Sequence, residues 1–210
     1  MVIPNGHEHV NRWRPERSPY EARKENRRPF VFVLGSRAKH KNVEMLFSIA
    51  QELDSMGLDI WVAGTSGTYL SAVDSCLPPP NVRMLGFVGD DDLAALYGRA
   101  LCFAFPSLTE GFGLPLLEAM AFGCPVVASD AASVPEVCGE AALFADPNSP
   151  REWLGQIGRL KADPGLAQDL AAKGVVQAQH FSWKAGAKAY LDLITPLLGR
   201  ASPGPAGRAA

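Results

Sequence analysis

Glu110 and Glu118 stand eight residues apart in "SLTEGFGLPLLEAMAFGCP", which runs from Ser107 to Pro125. The first lies in a glycine-rich loop, the second inside an apolar helical pattern. Carboxylates are rarely buried without a partner. Two arrangements satisfy that rule: a helix with one solvated glutamate, or two acids aimed at hydroxyl groups. Gly111 and Gly113 let the backbone approach a ligand with no Cβ in the way. Pro115 suits the first turn of a helix, where its missing N–H costs nothing. Free N–H groups around Phe112, Gly113 and Leu114 would then form an anion site. One turn further on, the Glu118 carboxylate could accept two vicinal hydroxyls, such as those of a ribose. A diphosphate would lie at the helix start, and Glu110 would meet whatever lies beyond it.

A second loop, "GSRAKHKN" (35–42), crowds Arg37, Lys39, His40 and Lys41 before another helix. It reads either as a solvated basic turn or as a phosphate site, since a helix N-terminus adds its own positive end. "GDDDL" (89–93) contains Asp-x-Asp, a spacing that can hold a divalent metal. It also opens a helix, where aspartates cap and complement the dipole, and that reading is preferred; no metal is expected. Glu136 fits equally a site residue or a charge at a helix start. His7 and His9 flank one residue in a polar stretch and read as a solvated pair. Cys76, Cys102, Cys124 and Cys138 show no CxxC or zinc spacing. Each lies in or beside an apolar segment, as reduced thiols of a cytosolic protein do.

These loops need elements to hold them. Short apolar runs at 29–35, 58–64, 81–88, 101–107, 125–129 and 141–146 read as buried strands. Helical spacing separates them at 42–57, with Asn42 as N-cap and Gly57 as stop, and at 91–100 and 114–123. Further helices are expected near 149–162, 164–180 and 182–198. Buried strands alternating with helices imply one α/β domain with a doubly wound parallel sheet, Rossmann-like, over 30–198. Such sheets bind ligands beyond the carboxyl ends of their strands, where both loops fall. Residues 1–29 are expected to be a linker or arm, with 6–29 a solvated connector: seven Arg/Lys against three Glu lie between Asn11 and Arg28, without periodicity. The Gly/Pro/Ala-rich tail, 199–210, is expected to be disordered.

Net charge is -2 with a pI near 6.1, which gives no support for nucleic-acid binding. No apolar run reaches the roughly 18 residues of a membrane span, and the N-terminus lacks a signal-peptide core. A cytoplasmic location is the expectation.

"FPSLTEGFGLPLLEAMAFGCPVVASDAASVPEVCGEAALFADP" (105–147) resembles the C-terminal, donor-binding half of a GT-B retaining glycosyltransferase of family 4, the glycosyl transferases group 1. "GSRAKHKN" resembles its phosphate loop, "NVRMLGFVGDDDLAALYGRA" the segment lining its base pocket, and "HFSWKAGAKAYLDLI" its closing helix. The resemblance implies that Glu118 holds ribose hydroxyls of a nucleotide diphosphate sugar and that Glu110 touches the donor sugar as the catalytic candidate. Lys41, with Arg37 and the Gly111–Leu114 backbone, would hold the diphosphate. Phe87 and Val88 would line the base pocket. No cofactor is implied beyond the donor, and the anomeric configuration would be retained. Ser36 stands where many members carry Arg after the strand glycine, and Arg37 is the substitute. The resemblance also implies a missing N-terminal acceptor domain, through which any peripheral membrane contact would run. The chain is then a fragment or split subunit serving polysaccharide biosynthesis. The alternative is a module that binds nucleotide sugars without transferring them.

Overall fold

The computed structural model describes residues 2–22, 28–35, 38–64 and 78–198. Arg37, Ser36, Cys76 and the 199–210 tail lie outside the described residues.

All six expected strands form: β1 (Phe30–Gly35), β2 (Asp59–Gly64), β3 (Val82–Gly86), β4 (Cys102–Phe105), β5 (Val126–Ser129) and β6 (Ala142–Ala145). They make one sheet in the order β3-β2-β1-β4-β5-β6, and every pair is parallel. The chain winds outward from β1 to β3, returns to β1's other edge with β4, and winds outward again. The direction reverses between β1 and β4, and sheets of this kind bind their ligands at such a reversal.

Both faces of the sheet are covered. Phe30 and Phe32 point into one apolar cluster with Trp61, Tyr97, Phe103 and Met120. Val31 and Val33 point into the other, with Leu46, Leu53, Ile60 and Trp153. Neighbouring strand residues alternate between faces, yet all four of these β1 side chains are buried. Apolar residues are needed at every position, and the strand reads as a continuous apolar run. Each such side chain contributes about 1.5–3 kcal/mol when fully buried.

The helices are α1 (Pro19–Ala22), α2 (Val43–Ser48), α3 (Ala50–Ser55), α4 (Asp90–Tyr97), α5 (Leu114–Ala121), α6 (Val134–Cys138), α7 (Pro150–Ala162), α8 (Pro164–Gln179) and α9 (Trp183–Leu198). The single helix expected over 42–57 is broken at Ile49, whose N–H bonds to Leu46 O three residues back. Leu46, Ile49, Ala50 and Leu53 are buried on both sides of the break, so the apolar spacing survives it. Asn42 is not a side-chain cap: it sits at φ 53 and makes no cap bond. Its Nδ2 donates instead to Pro106 O and Pro147 O, at 3.1 and 2.8 Å. Gly57 ends α3 at φ +71, a conformation glycine adopts without steric cost.

The N-terminal stretch departs from the sequence expectation. Residues 8–22 are not a solvated connector but form 3-10 turns at Glu8–Arg12 and Pro15–Arg17, followed by α1. Val10 and Trp13 are buried, and Trp13 stacks on Phe122 at 5.8 Å between ring centres. Turns this short bury single side chains and leave no periodicity to read. The aspartates of "GDDDL" anchor this stretch: Asp91 Oδ1 accepts from Arg14 N at 2.6 Å and Asp92 Oδ1 from Ser18 Oγ at 2.7 Å. The helix begins at Gly89 with no side-chain cap bond, though all three acids lie in its first turn.

Candidate functional site

Three loops meet at the carboxyl ends of β1, β4 and β5, and side chains tie them together. Asn42 Nδ2 reaches from the loop after β1 to Pro106 O. Leu108 N donates to His40 O at 2.7 Å across the same crevice. Ser129 Oγ donates to Ser107 O at 2.7 Å, and Ser133 Oγ to Glu110 O at 3.0 Å. The loop carrying Glu110 is thus held from both sides.

Within it, Gly113 takes φ +93 and starts α5. The positive φ favours glycine there, and a Cβ would lie 2.8 Å from Leu116 Cδ1, so that leucine would have to shift. Pro115 occupies the first turn, and no side chain caps the helix. Its positive end therefore faces the crevice without a protein anion at the cap. Gly111 is exposed, and a Cβ added there would meet nothing within 4 Å. Phe112 is half-buried and packs edge-on against Phe181.

Both carboxylates are partnered. Lys41 Nζ lies 2.5 Å from Glu110 Oε1 and 5.5 Å from the Phe105 ring centre. Glu118, one turn into α5, accepts from Tyr97 OH on Oε2 at 3.4 Å and meets His9 Nε2 on Oε1 at 3.0 Å. The two glutamate side chains are each 13% exposed, neither solvated nor sealed. Charges this far out of water need such partners, because removing one leaves the other uncompensated.

Of the expected site residues, Lys41 and Glu110 are brought into contact, and Glu118 lies one turn into the helix that follows the Glu110 loop. Arg37 lies outside the described residues. Phe87, expected at a base pocket, is 86% exposed at the end of β3, while Val88 is partly buried against the core. Glu136 is exposed in the first turn of α6. Cys102, Cys124 and Cys138 are buried free thiols. Burial pushes Cys102 and Cys138 up to about 12, so both stay protonated and inert.

The histidines of the N-terminal stretch depart from expectation. His7 and His9 are not a solvated pair: His7 Nδ1 is 2.8 Å from Phe181 O, and His9 reaches Glu118. Nothing local in the sequence announces this, since 109 residues separate His9 from Glu118. Among the described residues, no group of three or more His, Cys, Asp or Glu is placed to hold a metal ion, and no helix is long and apolar enough to cross a membrane. Neither Glu110 nor Glu118 lines the cavities of about 330 and 530 Å³ found against Trp13 and Phe122 and beside Asn81.

Strand order, switch-point crevice and glycine-led helix define a Rossmann-like α/β domain. The fold of sucrose-phosphate synthase from Thermosynechococcus elongatus superposes with a TM-score of 0.81 at 24% identity, over 96% of this chain and 53% of that one. A glycosyltransferase from Rickettsia africae matches with a TM-score of 0.79 at 15% identity, over 96% and 58%. The family described as glycosyl transferases group 1 matches residues 16–176, and the chain belongs to it. It is 47% identical over 103 residues to O-antigen chain mannosyltransferase B of Escherichia coli, covering 49% of this chain and 27% of that protein. It is 34% identical over 148 residues to a D-inositol 3-phosphate glycosyltransferase of a Nocardioides strain, covering 70% and 29%. The chain thus spans between a quarter and a third of the length of these two curated relatives, and about half that of the solved structures.

Proposed function

We propose that this chain is the donor-binding domain of a retaining glycosyltransferase that takes a hexose from a nucleotide diphosphate sugar and passes it to a glycan or lipid acceptor. The observation that carries the reading is the convergence of Glu118, the Glu110–Lys41 pair and the uncapped start of α5 at the β1/β4 switch point. Each meets one part of such a donor. Glu118 receives the ribose hydroxyls, and the α5 N–H groups with Lys41 receive the diphosphate. Glu110 touches the sugar. Val88 and Phe87 flank the base, and Arg37 assists at the phosphates.

In the reaction, the bond from the anomeric carbon to the diphosphate breaks, one to an acceptor hydroxyl oxygen forms, and that hydroxyl's proton passes to the departing diphosphate, with the configuration at the anomeric carbon retained. Negative charge grows on the departing diphosphate. A helix N-terminus and a lysine stabilise it without a metal, since preorganised dipoles and charges act most where charge develops. The acceptor is held by a second domain, consistent with the share of the solved relatives that this chain spans. Any contact with a membrane runs through that domain, and the setting is cytoplasmic polysaccharide synthesis. Mannosyl donors are the first to test, because mannosyltransferases are among the relatives.

The test is a thermal-shift screen of nucleoside diphosphates and their sugars on the purified chain, followed by transfer assays with and without a candidate acceptor domain. A ligand that binds only the folded state raises Tm. The expected result is a shift with one nucleotide diphosphate and its sugar, and transfer only in the presence of the second domain. No shift with any nucleotide sinks the donor-site reading. Robust transfer by the chain alone sinks the half-enzyme reading.

A further inference from the structure

We propose that His9 is a positioning residue for Glu118, fixed in one tautomer by Trp183, so that the two ends of the domain set how the site receives a ribose. The inference rests on the reading that Glu118 takes the ribose hydroxyls of a nucleoside diphosphate.

An indole N–H only donates. The Trp183 Nε1–H points at His9 Nδ1, 3.3 Å away. Nδ1 is therefore the bare acceptor, and the ring proton sits on Nε2, 3.0 Å from Glu118 Oε1. A doubly protonated ring would set two N–H groups against each other at Trp183. The other oxygen of Glu118 accepts the Tyr97 hydroxyl. Burial, and then the charge of Glu118, pushes the Tyr97 phenol well above its ordinary 10, so it keeps its proton and donates. Each carboxylate oxygen can accept two hydrogen bonds. One is filled on each oxygen by the protein, and one on each remains for two adjacent hydroxyls. A glutamate side chain left free would have to be ordered when the ligand arrives, at a cost in affinity.

The frame behind His9 is equally specific. His9 lies edge-on to Trp13, with ring centres 5.6 Å apart. Its chain neighbours are tied to the start of α9: Glu8 Oε2 accepts from Trp183 N at 2.9 Å, and His7 Nδ1 meets Phe181 O. Gly6 packs so closely that a Cβ would lie 2.0 Å from Trp183 N. The first residues of the domain and its last helix are joined around the histidine. Together these contacts hold His9 against Glu118.

The test uses the full 210-residue chain, with UDP, GDP and ADP and their 2′-deoxy counterparts as probes. Calorimetry is run on the ribonucleotide that binds and on its deoxy form. His9→Phe keeps a ring against Trp13 and loses both nitrogens. It is expected to weaken ribonucleotide binding about tenfold and the deoxy form by less than about twofold. His9→Gln, whose amide can donate to Glu118, should recover to within about threefold of the native chain. Nitrogen-15 spectra should show a neutral His9 ring protonated on Nε2, and mixed tautomers in Trp183→Phe. Equal losses for ribose and deoxyribose would overturn the proposal, as would unchanged or tighter binding, the latter making His9 a cover over the carboxylate. A proton on Nδ1 in the native chain would overturn it as well, and this measurement decides even if His9→Phe does not fold. Glu118→Gln separates the two levels. If it too leaves binding intact, the donor-site reading fails; if it alone abolishes binding, only the role of His9 fails.

Discussion

Lys41 Nζ and Glu110 Oε1 are 2.5 Å apart, although their residues lie 69 positions apart in the chain. The lysine comes from the loop after β1 and the glutamate from the loop after β4, on either side of the switch point. Their contact links the phosphate end of the proposed site to its sugar end.

Lys41→Ala is therefore expected to act twice. It removes a cation from the diphosphate, so nucleoside diphosphate binding should fall far more than nucleoside binding. It also strands Glu110, costing about 1–2 kcal/mol of stability for a pair that is only partly desolvated. Adding Glu110→Gln should recover part of that stability, since neighbouring sites are not additive. Calorimetry with the two ligands and thermal unfolding of the three variants check both effects.

Glu118→Gln keeps the side-chain volume and removes the charge. Hydrogen bonds to charged groups are worth about 1.5–3 kcal/mol each, so nucleotide affinity should fall about ten- to a hundredfold. The fold should be little changed, because Gln keeps the volume, its amide oxygen can still accept from His9, and its NH2 can donate to the Tyr97 hydroxyl oxygen. Isothermal calorimetry measures the loss, and unchanged affinity in a folded variant removes Glu118 from the site.

Chelation should leave binding where it is. Asp91 and Asp92 already accept from Arg14 N and Ser18 Oγ. EDTA is expected to alter neither nucleotide affinity nor Tm, and a strong gain on adding magnesium would restore the metal reading of Asp90 and Asp92.

Gly6→Ala is predicted to destabilise the domain by about 1–3 kcal/mol, because its new Cβ would overlap Trp183 N and the flanking backbone must move. Gly155→Ala, in α7 with nothing within 4 Å of the new methyl, should instead stabilise by about 0.5–1 kcal/mol. Parallel denaturant titrations compare them, and equal behaviour would mean the N-terminal stretch is not docked as described.

Acid should release that docking. Burial acts to raise the Glu8 carboxyl, but hydrogen bonds from Ser182 and Trp183 outweigh it and lower the group from 4.5 to about 2. A depressed carboxylate contributes stability above its unfolded value and loses it as pH falls through the folded one. The protection of residues 7–13 from hydrogen exchange, relative to the intrinsic rate at each pH, should therefore fall between pH 4.5 and 2, and Glu8→Gln should show low protection at neutral pH. A flat profile in the native chain would mean that Glu8 is not the latch.

What the sequence alone determined is local. Apolar runs such as Phe30–Leu34 mark strands because a strand buried on both faces needs an apolar residue at every position. Gly113 and Pro115 mark the start of α5 because a positive φ and a missing N–H each allow few residues. The spacing of Glu110 and Glu118 was legible for the same reason: both lie on one continuous loop and helix. The tertiary structure decided everything that depends on which distant segments meet. The bond from His9 to Glu118 spans 109 residues and that from Trp183 to His9 spans 174. Asn42 has the residue type of a cap and instead bridges loops, because its position beside Pro106 and Pro147 exists only once β1 lies next to β4. A His-x-His in a polar stretch has no period and no neighbour of its own. Its partners arrive by the order in which parallel strands pack, and short-range propensity carries no information about that order.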